Sequence, residues 1–334
     1  MLITICELKE KILNHDNILI VTHINPDPDT LGSALGLKWI LAKLGKTSRI
    51  FCTTHINERI CGFLNIAPEL DGTVTLDDSA PPDYIIAVDV ASEAMLGKSL
   101  ANHKIDLVID HHYTNSLYGR ETYLDDKAAA TGEIIFELAQ EFALEIDQEF
   151  ARYIYCAIIC DCGSFRYSST TPKTMNIAAE LIKTGFDFAK ANRLIYENKS
   201  LEQVAVERLA YNSLKLYSDG KIAIINITRE LKKEAGLEGC DIDGISGIPR
   251  IITGVEVGVL IKETEEGRLE DKNMREFKIS LRSNDYVNVA KIAHEFGGGG
   301  HIHAAGCRFV AQPDLENPAE YIERAIIEKI ESVL

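Results

Sequence analysis

The chain has 334 residues, about twice the usual length of one domain, so two domains are expected. Hydrophobic residues make up 46% and charged residues 26% of the sequence, which argues against a disordered or fibrous protein. The formal net charge is -16, from 35 Lys and Arg against 51 Asp and Glu. Such a charge repels polyanions and argues against a protein that coats long duplex DNA, although a short nucleotide can still bind a local basic pocket.

The sequence contains no membrane or secretion signal. No apolar run reaches the roughly 18 residues that cross a bilayer, and the charged residues within 1–12 predict an amphipathic first helix instead of a signal peptide. The eight cysteines form no C-x-x-C pair, so neither a structural zinc site nor a disulfide framework is expected. These features predict a cytoplasmic protein with no membrane partner.

The first half of the chain alternates strand and helix patterns. Apolar runs predict strands at residues 17–22, 49–52, 84–88 and 105–109, and helical spacing predicts helices at 31–44, 129–142 and 148–159. Gly45 is placed to end the first of these helices. The alternation predicts a mostly parallel sheet covered on both faces, in an α/β domain that spans residues 1–188.

The pattern changes after this domain. Residues 189–217 are charged and helix-compatible without a strand, and are expected to form a connecting helical linker. Strands are predicted at 221–228, 253–261, 276–282 and near 307–310, helices at 286–295 and 318–333, and a solvated hairpin tip at 263–271. Residues 218–334 are therefore expected to form a smaller α+β domain, with a cleft between the two domains.

Acidic and histidine residues follow the predicted strands at their carboxyl ends. In chain order these residues are His23, Asp27, Asp29, Asp89, Asp110, His111 and His112, and Asp161 closes a predicted helix. Ligands of an open parallel sheet bind beyond the carboxyl ends of its strands, so we expect these side chains to converge. For His23 taken alone, a helix-capping or loop role is the better interpretation.

Converging carboxylates cannot all stay ionised without positive charge among them, and these loops contain no matching cluster of Arg or Lys. Bound cations are the economical solution. Mixed histidine and carboxylate ligands suit Mn²⁺ or a similar first-row ion better than Ca²⁺ or Mg²⁺. Six or seven ligands suffice for two ions about 3.5–4 Å apart, which is the arrangement of metal-assisted phosphate ester hydrolysis.

These residues resemble, in order and spacing, the motifs of the DHH phosphoesterase family. The four motifs are His23-Ile-Asn-Pro-Asp27-Pro-Asp29, Asp89, Asp110-His111-His112 and Asp161. Residues 297–306 (GGGGHIHAAG) are similar to the glycine-rich signature of the DHH-associated C-terminal domain. Within the family, the chain length and this signature look most like the bacterial nano-RNases, which are bifunctional oligoribonucleases and 3′-phosphoadenosine-5′-phosphate (pAp) phosphatases.

The resemblance implies two metal ions, Mn²⁺ or alternatively Co²⁺ or Mg²⁺, that share one bridging carboxylate. The implied ligands of the first ion are His23, Asp27 and Asp89. The implied ligands of the second ion are Asp29, Asp89, His111 and Asp161. Two further residues are implied to be catalytic: Asp110 orients His111 or the end of its strand, and His112 faces the scissile phosphate.

The sequence departs from the family pattern at two places. Pro28 stands where many members have Gly, and it stiffens the turn between two ligands without removing either. Cys160 and Cys162 flank Asp161 at positions where Thr is more usual. Either their oxidation displaces Asp161, or both thiols are buried and inert, and the sequence leaves this choice open.

The C-terminal motif indicates substrate contacts. A glycine run alone is usually a connector, but this one leads from a helix pattern into His301, and its N–H groups can approach an anion closely. Arg282 ends a predicted strand with a guanidinium suited to phosphate. By resemblance, the substrate contacts are Arg282, Ser283, Gly298, Gly299, Gly300 and His301. Four further residues are left open between substrate contact and structure: Arg166, Tyr167, His303 and Arg308.

The predicted function is hydrolysis of short oligoribonucleotides and pAp, with no long duplex nucleic acid as partner, and the resemblance suggests a homodimer. A phosphodiesterase of cyclic di-AMP or its linear product pApA is the main alternative, because the metals recognise only a phosphate. A manganese-dependent pyrophosphatase shares the catalytic half, but the GGGGH motif counts against it. An inactive nucleotide-binding protein is disfavoured because every ligand position is filled.

Overall fold

The structure is a computed structural model that describes residues 1–52, 54, 56, 58–67, 81–100, 103–240, 242–264 and 274–334, without the side chains of Asp243 and His301. Most of the expected hairpin tip at 263–271 lies outside this part. The chain divides into two compact units, Met1–Asn198 and Lys199–Leu334. Among the described residues, no helix combines the length and the apolar character needed to cross a membrane.

The first unit contains a five-stranded, all-parallel sheet in the order β2-β1-β3-β4-β5. Its strands are β1 (Asn17–Val21), β2 (Thr47–Phe51), β3 (Tyr84–Val88), β4 (Leu107–Asp110) and β5 (Glu121–Leu124). Its helices are α1 (Ile5–Leu13), α2 (Pro28–Lys43), α3 (Glu58–Leu64), α4 (Thr131–Glu141), α5 (Gln148–Asp161), α6 (Pro172–Lys183) and α7 (Phe188–Asn192). Short 3₁₀ helices span Glu93–Leu96 and Lys98–Leu100, and a π-helical turn spans Arg193–Glu197.

Both faces of this sheet are covered, as the apolar strand pattern predicts. On β1, Ile18 and Ile20 pack into the large core formed with the long helices, whereas Leu19 and Val21 pack on the other face with the 3₁₀ segment. The edge strand β5 and helix α3 were not predicted. For β5, the sequence (ETYL) alternates little and contains a charged residue.

Two helix ends differ from the prediction in ways that matter for the site. Helix α2 begins at Pro28, three residues early, because Asp27 accepts the Thr30 N–H as N-cap and proline suits the first helical position. Asp29 therefore lies in the first turn of α2. Helix α5 extends to Asp161, two residues beyond the predicted end, so Asp161 is the last residue of the helix that it was expected to close.

The second unit is a six-stranded mixed sheet in the order β10-β11-β9-β8-β7-β6, in which only β7 and β8 pair in parallel. Its strands are β6 (Leu214–Tyr217), β7 (Ile222–Ile227), β8 (Val257–Glu263), β9 (Arg275–Ser283), β10 (Gly299–His301) and β11 (Ala304–Ala311). Its helices are α8 (Leu201–Ser213), α9 (Arg229–Glu234), α10 (Val289–Glu295) and α11 (Pro318–Glu331), with 3₁₀ helices at Asp243–Ile245 and Pro249–Ile251. This confirms the predicted α+β architecture.

The segment expected to be a linker is organised differently. The two units meet at Asn198, so α7 belongs to the first unit and α8 to the second. The expectation that this segment contains no strand is wrong, because Leu214–Tyr217 forms β6. It pairs antiparallel with β7 through a tight turn, in which Ser218, Asp219 and Gly220 all adopt positive φ.

The glycine run is part of a β-hairpin and not a free loop. Strand β10 pairs antiparallel with β11, and this places the backbones of the two strands very close together. A Cβ added at Gly298 would lie 2.2 Å from the Gly306 carbonyl oxygen, and one at Gly300 would lie 2.5 Å from that of Ala304. A Cβ at Gly299 would meet nothing within 4 Å. Only Gly298 and Gly300 are therefore required by packing.

We predict that Gly298→Ala and Gly300→Ala each lower the free energy of unfolding of the second unit by about 2 kcal/mol or more, through overlap with β11. Gly299→Ala, in the same strand, should leave stability within about 0.5 kcal/mol of wild type. Urea unfolding followed by circular dichroism measures both effects. Equal losses for all three variants would contradict the hairpin geometry.

Candidate metal centre

The predicted ligands converge at the carboxyl edge of the parallel sheet. Three groups of side chains each place one ligand atom per residue within 4.8 Å of the others. The groups are His23, Asp27 and Asp89; Asp29, His111 and Asp161; and Asp89, His111 and His112. Asp89 belongs to two of these groups and His111 to two, so the groups form one continuous cluster.

The first group surrounds the start of α2. Asp27 is the exposed member, with 51% of its side chain accessible, and its Oδ2 lies 4.0 Å from His23 Nε2. The hydroxyl of Thr30 lies 2.6 Å from His23 Nε2 and donates to Asp89 Oδ2 at 2.6 Å. Asp89 itself follows β3 with φ of 61°, a left-handed conformation that Asp tolerates better than most residues. The Asp89 carboxylate lies within reach both of His23 and Asp27 and of His111 and His112.

The second group joins α2, α5 and the end of β4. His111 Nε2 lies 3.2 Å from Asp161 Oδ2 and 3.8 Å from both Asp29 Oδ2 and Asp89 Oδ1. The ring of His111 is oriented from its other side, where Nδ1 lies 3.1 Å from the carbonyl oxygen of Ala128. A carbonyl only accepts, so Nδ1 carries the hydrogen and Nε2 is the nitrogen that faces the carboxylates.

Asp29 is held by the beginning of another helix. Its carboxylate accepts the backbone N–H groups of Thr131 at 2.8 Å and Gly132 at 3.0 Å, and the Ser33 hydroxyl at 2.9 Å. The N-cap residue of α4 is Ala130, which has no side-chain oxygen to offer. Asp29 therefore caps α4 from α2, and the positive end of α4 stabilises its charge.

Burial and mutual repulsion dominate the electrostatics of the cluster. Burial raises the pKa of Asp29 to about 7, and the nearby Asp161 carboxylate adds to the shift. Burial also raises the pKa of Asp89, reinforced by Asp29 and Asp27. Burial alone would lower the pKa of His111, but the surrounding carboxylates, Asp161 first, outweigh it and raise the pKa to about 11. The cluster thus requires positive charge.

Asp110 holds the ring of His112 and the end of β4, the second of the two roles expected for it beside His111. Asp110 Oδ1 lies 2.7 Å from His112 Nδ1 and accepts the backbone N–H groups of His111 and His112. Asp110 Oδ2 accepts from Asn115 Nδ2 at 2.5 Å. Burial opposes ionisation, but the bonds from His112 and Asn115 outweigh it and lower the pKa of Asp110. Asp110 contacts His111 only through its backbone, at the end of β4.

The residues present fit a bound metal. His111 Nε2 is buried and makes no hydrogen bond of acceptable geometry to any described residue. A buried imidazole nitrogen that faces carboxylates in this way is typical of a metal ligand, because an orphaned polar atom is otherwise costly. The donors are imidazole nitrogens and carboxylate oxygens, a set that suits first-row divalent ions.

Four side chains that bond to candidate ligands or to Asp110 were missed by sequence analysis. They are Thr30, Ser33, Asn115 and Thr131. Thr131 donates its hydroxyl to Asp89 Oδ1 at 2.9 Å. Thr30 directly follows the Asp-Pro-Asp motif, which is the one signal that was available. The other three act on residues that are four to more than forty positions away, or lie in loops without a pattern.

In the second unit, the strand register surrounds Arg282 with small residues. On β9, Arg282 pairs with Ala304 of β11 and Ser280 pairs with Gly306 of β11. Gly306 in turn pairs with Gly299 on the other neighbouring strand, β10. Directly paired residues, and residues two apart on one strand, point to the same face of a sheet. Towards β10 and β11 the face of Arg282 carries Ala304, Gly306 and Gly299, whereas towards β8 it packs into a core cluster that includes Leu260. The opposite face packs into the other core cluster of this unit. Arg282 Nη1 donates to the Leu281 carbonyl at 3.0 Å.

Ser283, a predicted substrate contact, is buried and bonded to His303. This residue is only 1% exposed, and its hydroxyl lies 3.0 Å from Nδ1 of the exposed His303. The backbone N–H of Ser283 also donates to the His303 carbonyl at 3.1 Å. Ser283 thus holds His303, one of the residues left open. His301 is placed in β10 by its backbone, and its side chain lies outside the described part.

The remaining open residues have structural partners. Arg308 Nη1 donates to Glu276 at 3.0 Å. Arg166 Nε donates to the Gly163 carbonyl at 2.5 Å, and its guanidinium lies over the Tyr196 ring. The ring of Tyr167 lies against Gly163, where an added Cβ would meet it at 2.4 Å. These contacts support a structural role for Arg166 and Arg308.

Of the two cysteines beside Asp161, Cys162 is buried and Cys160 is half-buried. Cys162 is fully buried, and its Sγ accepts the Phe165 N–H at 3.2 Å. Burial raises the pKa of the Cys160 and Cys162 thiols, which disfavours the thiolate that oxidants attack. Of the two interpretations that the sequence left open, the structure favours inert thiols.

The fold and the site define a metal-dependent phosphoesterase, and comparison with known proteins gives the family. Residues 17–158 match the family model described as "DHH family, N-terminal domain", and residues 219–328 match the DHHA1 domain. The chain belongs to the DHH family. The resemblance that the sequence motifs indicated is thereby confirmed, together with the predicted fold class.

Similar proteins match this chain along nearly their full length. The probable bifunctional oligoribonuclease and PAP phosphatase NrnA of Streptococcus mutans is 30% identical over 312 residues, which cover 92% of this chain and 94% of that protein. The bifunctional oligoribonuclease and PAP phosphatase NrnA of Thermus thermophilus is 31% identical, over 94% of this chain and 90% of that protein. An exopolyphosphatase-related protein from Bacteroides fragilis has a crystal structure with a TM-score of 0.84 at 25% identity, covering 98% and 96% of the two chains.

We predict different effects on stability for two ligands of one group. With chelator present, Asp29→Ala should lower the free energy of unfolding by about 2 kcal/mol, because the start of α4 loses its acceptor. Asp161→Ala is the matched control: its carboxylate is 28% exposed and repels Asp29, so its loss should cost less than about 1 kcal/mol. Chemical denaturation in EDTA measures both. A larger loss for Asp161→Ala would contradict the capping role of Asp29.

Proposed function

We propose that the protein hydrolyses short oligoribonucleotides and pAp at a two-metal centre in the first unit. The observation that carries the proposal is the single cluster in which Asp89 is shared between adjacent groups of candidate ligands. The substrate class is supported by the names of the Streptococcus mutans and Thermus thermophilus relatives, which align with almost the whole chain.

The proposed ligands are those expected from the motifs. His23, Asp27 and Asp89 hold the first ion. Asp29, Asp89, His111 and Asp161 hold the second. Bound divalent ions supply Lewis acidity to the phosphate and to the attacking water. We propose Mn²⁺, because mixed imidazole and carboxylate donors favour it over Mg²⁺ and Ca²⁺, with Co²⁺ and Mg²⁺ as weaker substitutes.

His112 is the proposed catalytic side chain of this chain itself. Its Nδ1 is held by the ionised Asp110, so its ring orientation is fixed at the rim of the cluster, 3.6 Å from Asp89 Oδ1. With Nδ1–H donated to Asp110, His112 in its imidazolium form can also donate Nε2–H to the reacting phosphate. Asp110 and Asn115 are positioning residues that act through His112.

The second unit is proposed to bind the part of the substrate that does not react. Arg282 offers a guanidinium to a phosphate beside a face on which Gly299, Ala304 and Gly306 leave room for a nucleoside. Ser283 contributes by holding Nδ1 of His303, and His301 remains a proposed contact by resemblance. Gly298 and Gly300 contribute by shaping the hairpin.

The cytoplasmic location and the homodimer expected from the sequence stay predictions. The cytoplasmic location is supported by the cysteines, all eight of which are free thiols, as a reducing compartment would maintain them. The homodimer rests on family resemblance alone. Of the alternative activities, phosphodiesterase action on cyclic di-AMP or pApA needs the same metal centre and is separated only by substrate.

A substrate panel tests the proposed activity. With Mn²⁺ we expect hydrolysis of pAp and of ribonucleotides two to five residues long, and much slower hydrolysis of cyclic di-AMP, long RNA and pyrophosphate. Chelator should abolish all activity. Asp89→Asn keeps the side-chain shape but removes the shared charge, so it should lose both metal equivalents by elemental analysis and all activity. A preference for pyrophosphate or cyclic di-AMP would refute the proposed substrate class.

A second prediction separates substrate binding from chemistry. Arg282→Ala should lower kcat/KM for pAp roughly ten- to a hundredfold, the cost of one charge-assisted bond to phosphate. A generic aryl phosphodiester should be hydrolysed almost as before, with metal content unchanged. Arg308→Ala is the matched control, since this arginine lies on the same face of the sheet and bonds to Glu276. Equal losses on both substrates would place Arg282 in the catalytic centre instead.

A further inference from the structure

The hydroxyl of Thr30 lies among the proposed ligands of the first ion. Its Oγ1 is 2.6 Å from His23 Nε2, 2.6 Å from Asp89 Oδ2 and 3.1 Å from Asp27 Oδ1. The three side chains that it contacts are the three assigned to that ion. Thr30 is fully buried, so bulk water does not compete for these bonds.

Thr30 and a metal require the same nitrogen of His23. Nδ1 of this histidine lies 2.9 Å from the carbonyl oxygen of Ile24, so Nδ1 carries a hydrogen. Nε2 is then the ring nitrogen available to a metal, and it is the atom bonded to Thr30. Whether Nε2 accepts the hydroxyl hydrogen or donates to the hydroxyl oxygen, its single in-plane position is occupied.

Asp89, unlike His23, can bind the Thr30 hydroxyl and a metal ion at the same time. A carboxylate oxygen can accept a hydrogen bond and bind a cation at the same time, because it has more than one lone pair. The Thr30 hydroxyl can therefore keep donating to Asp89 Oδ2 when an ion binds His23. Metal binding therefore breaks the hydrogen bond between Thr30 and His23 Nε2 and leaves the one between Thr30 and Asp89 Oδ2 intact.

We propose that Thr30 is a placeholder for the first metal ion. In the metal-free protein its hydroxyl holds His23 and Asp89 together, and it competes with the incoming ion for His23 Nε2. Thr30 is a positioning residue that stabilises the ligand set and lowers metal affinity at this position. The inference rests on the proposed metal centre and adds a determinant of its occupancy.

The test is Mn²⁺ binding measured by electron paramagnetic resonance, without any assay of activity. His23→Ala first identifies which of the two binding steps belongs to the first ion. Thr30→Val, which keeps the shape but removes the hydroxyl, should bind Mn²⁺ roughly fivefold more tightly at that step, the value of one hydrogen bond. Its melting temperature in EDTA should be lower than that of wild type, and the rise on adding Mn²⁺ should be larger.

Two controls isolate the histidine bond. Thr131→Val removes a buried hydroxyl that also donates to Asp89. This hydroxyl does not contact Nε2 of His23 or of His111. The Thr131→Val variant should therefore bind Mn²⁺ no more tightly than wild type. Thr30→Ser keeps a hydroxyl and should bind like wild type. If Thr30→Val does not fold, Thr30→Ala replaces it with the same expected gain.

The outcomes that overturn the proposal are distinct. Normal Mn²⁺ binding by wild type, with equal or weaker binding by both Thr30→Val and Thr30→Ala, refutes the placeholder role alone. A gain in Thr131→Val equal to that in Thr30→Val also refutes it, because the effect would then come from Asp89. Absence of Mn²⁺ binding by wild type would refute the metal centre and this inference with it.

Discussion

Two buried carboxylates, Asp29 and Asp89, set the constraint on which the first unit depends. They are 0% and 2% exposed, so each must meet donors or positive charge within the protein. Asp29 receives two backbone N–H groups from α4, and Asp89 receives the hydroxyls of Thr30 and Thr131. These neutral donors leave the like charges facing one another. His111, whose pKa rises to about 11 beside these carboxylates, offsets part of that charge, and bound divalent cations can balance the rest.

The same bonds build the fold and orient the ligands. Helix α4 begins at an alanine N-cap, and the missing acceptor comes from Asp29 in the first turn of α2. Helix α2 also packs along α5, which ends at Asp161. The positions of these two carboxylates are therefore set by helix packing in a rigid core, which is the kind of support that a metal centre needs.

The second unit obtains its geometry from strand register instead. The pairing of β9, β10 and β11 places Arg282 among glycine and alanine on one face while the other face fills the core. The close approach of β10 to β11 excludes side chains at Gly298 and Gly300. The position of Arg282, the proposed phosphate contact, is therefore set by strand register and not by helix packing.

The sequence by itself determined the alternation of strands and helices in the first unit, the parallel sheet and the set of candidate ligands, because strand ends followed by Asp and His must meet at one sheet edge. Only the tertiary structure decided which groups bond to one another. Asp110 holds His112, Ser283 lies beneath His303, and Thr30 lies among three ligands. These contacts depend on ring orientation, on strand register and on helix starts shifted by a few residues, and periodicity carries no information on any of them.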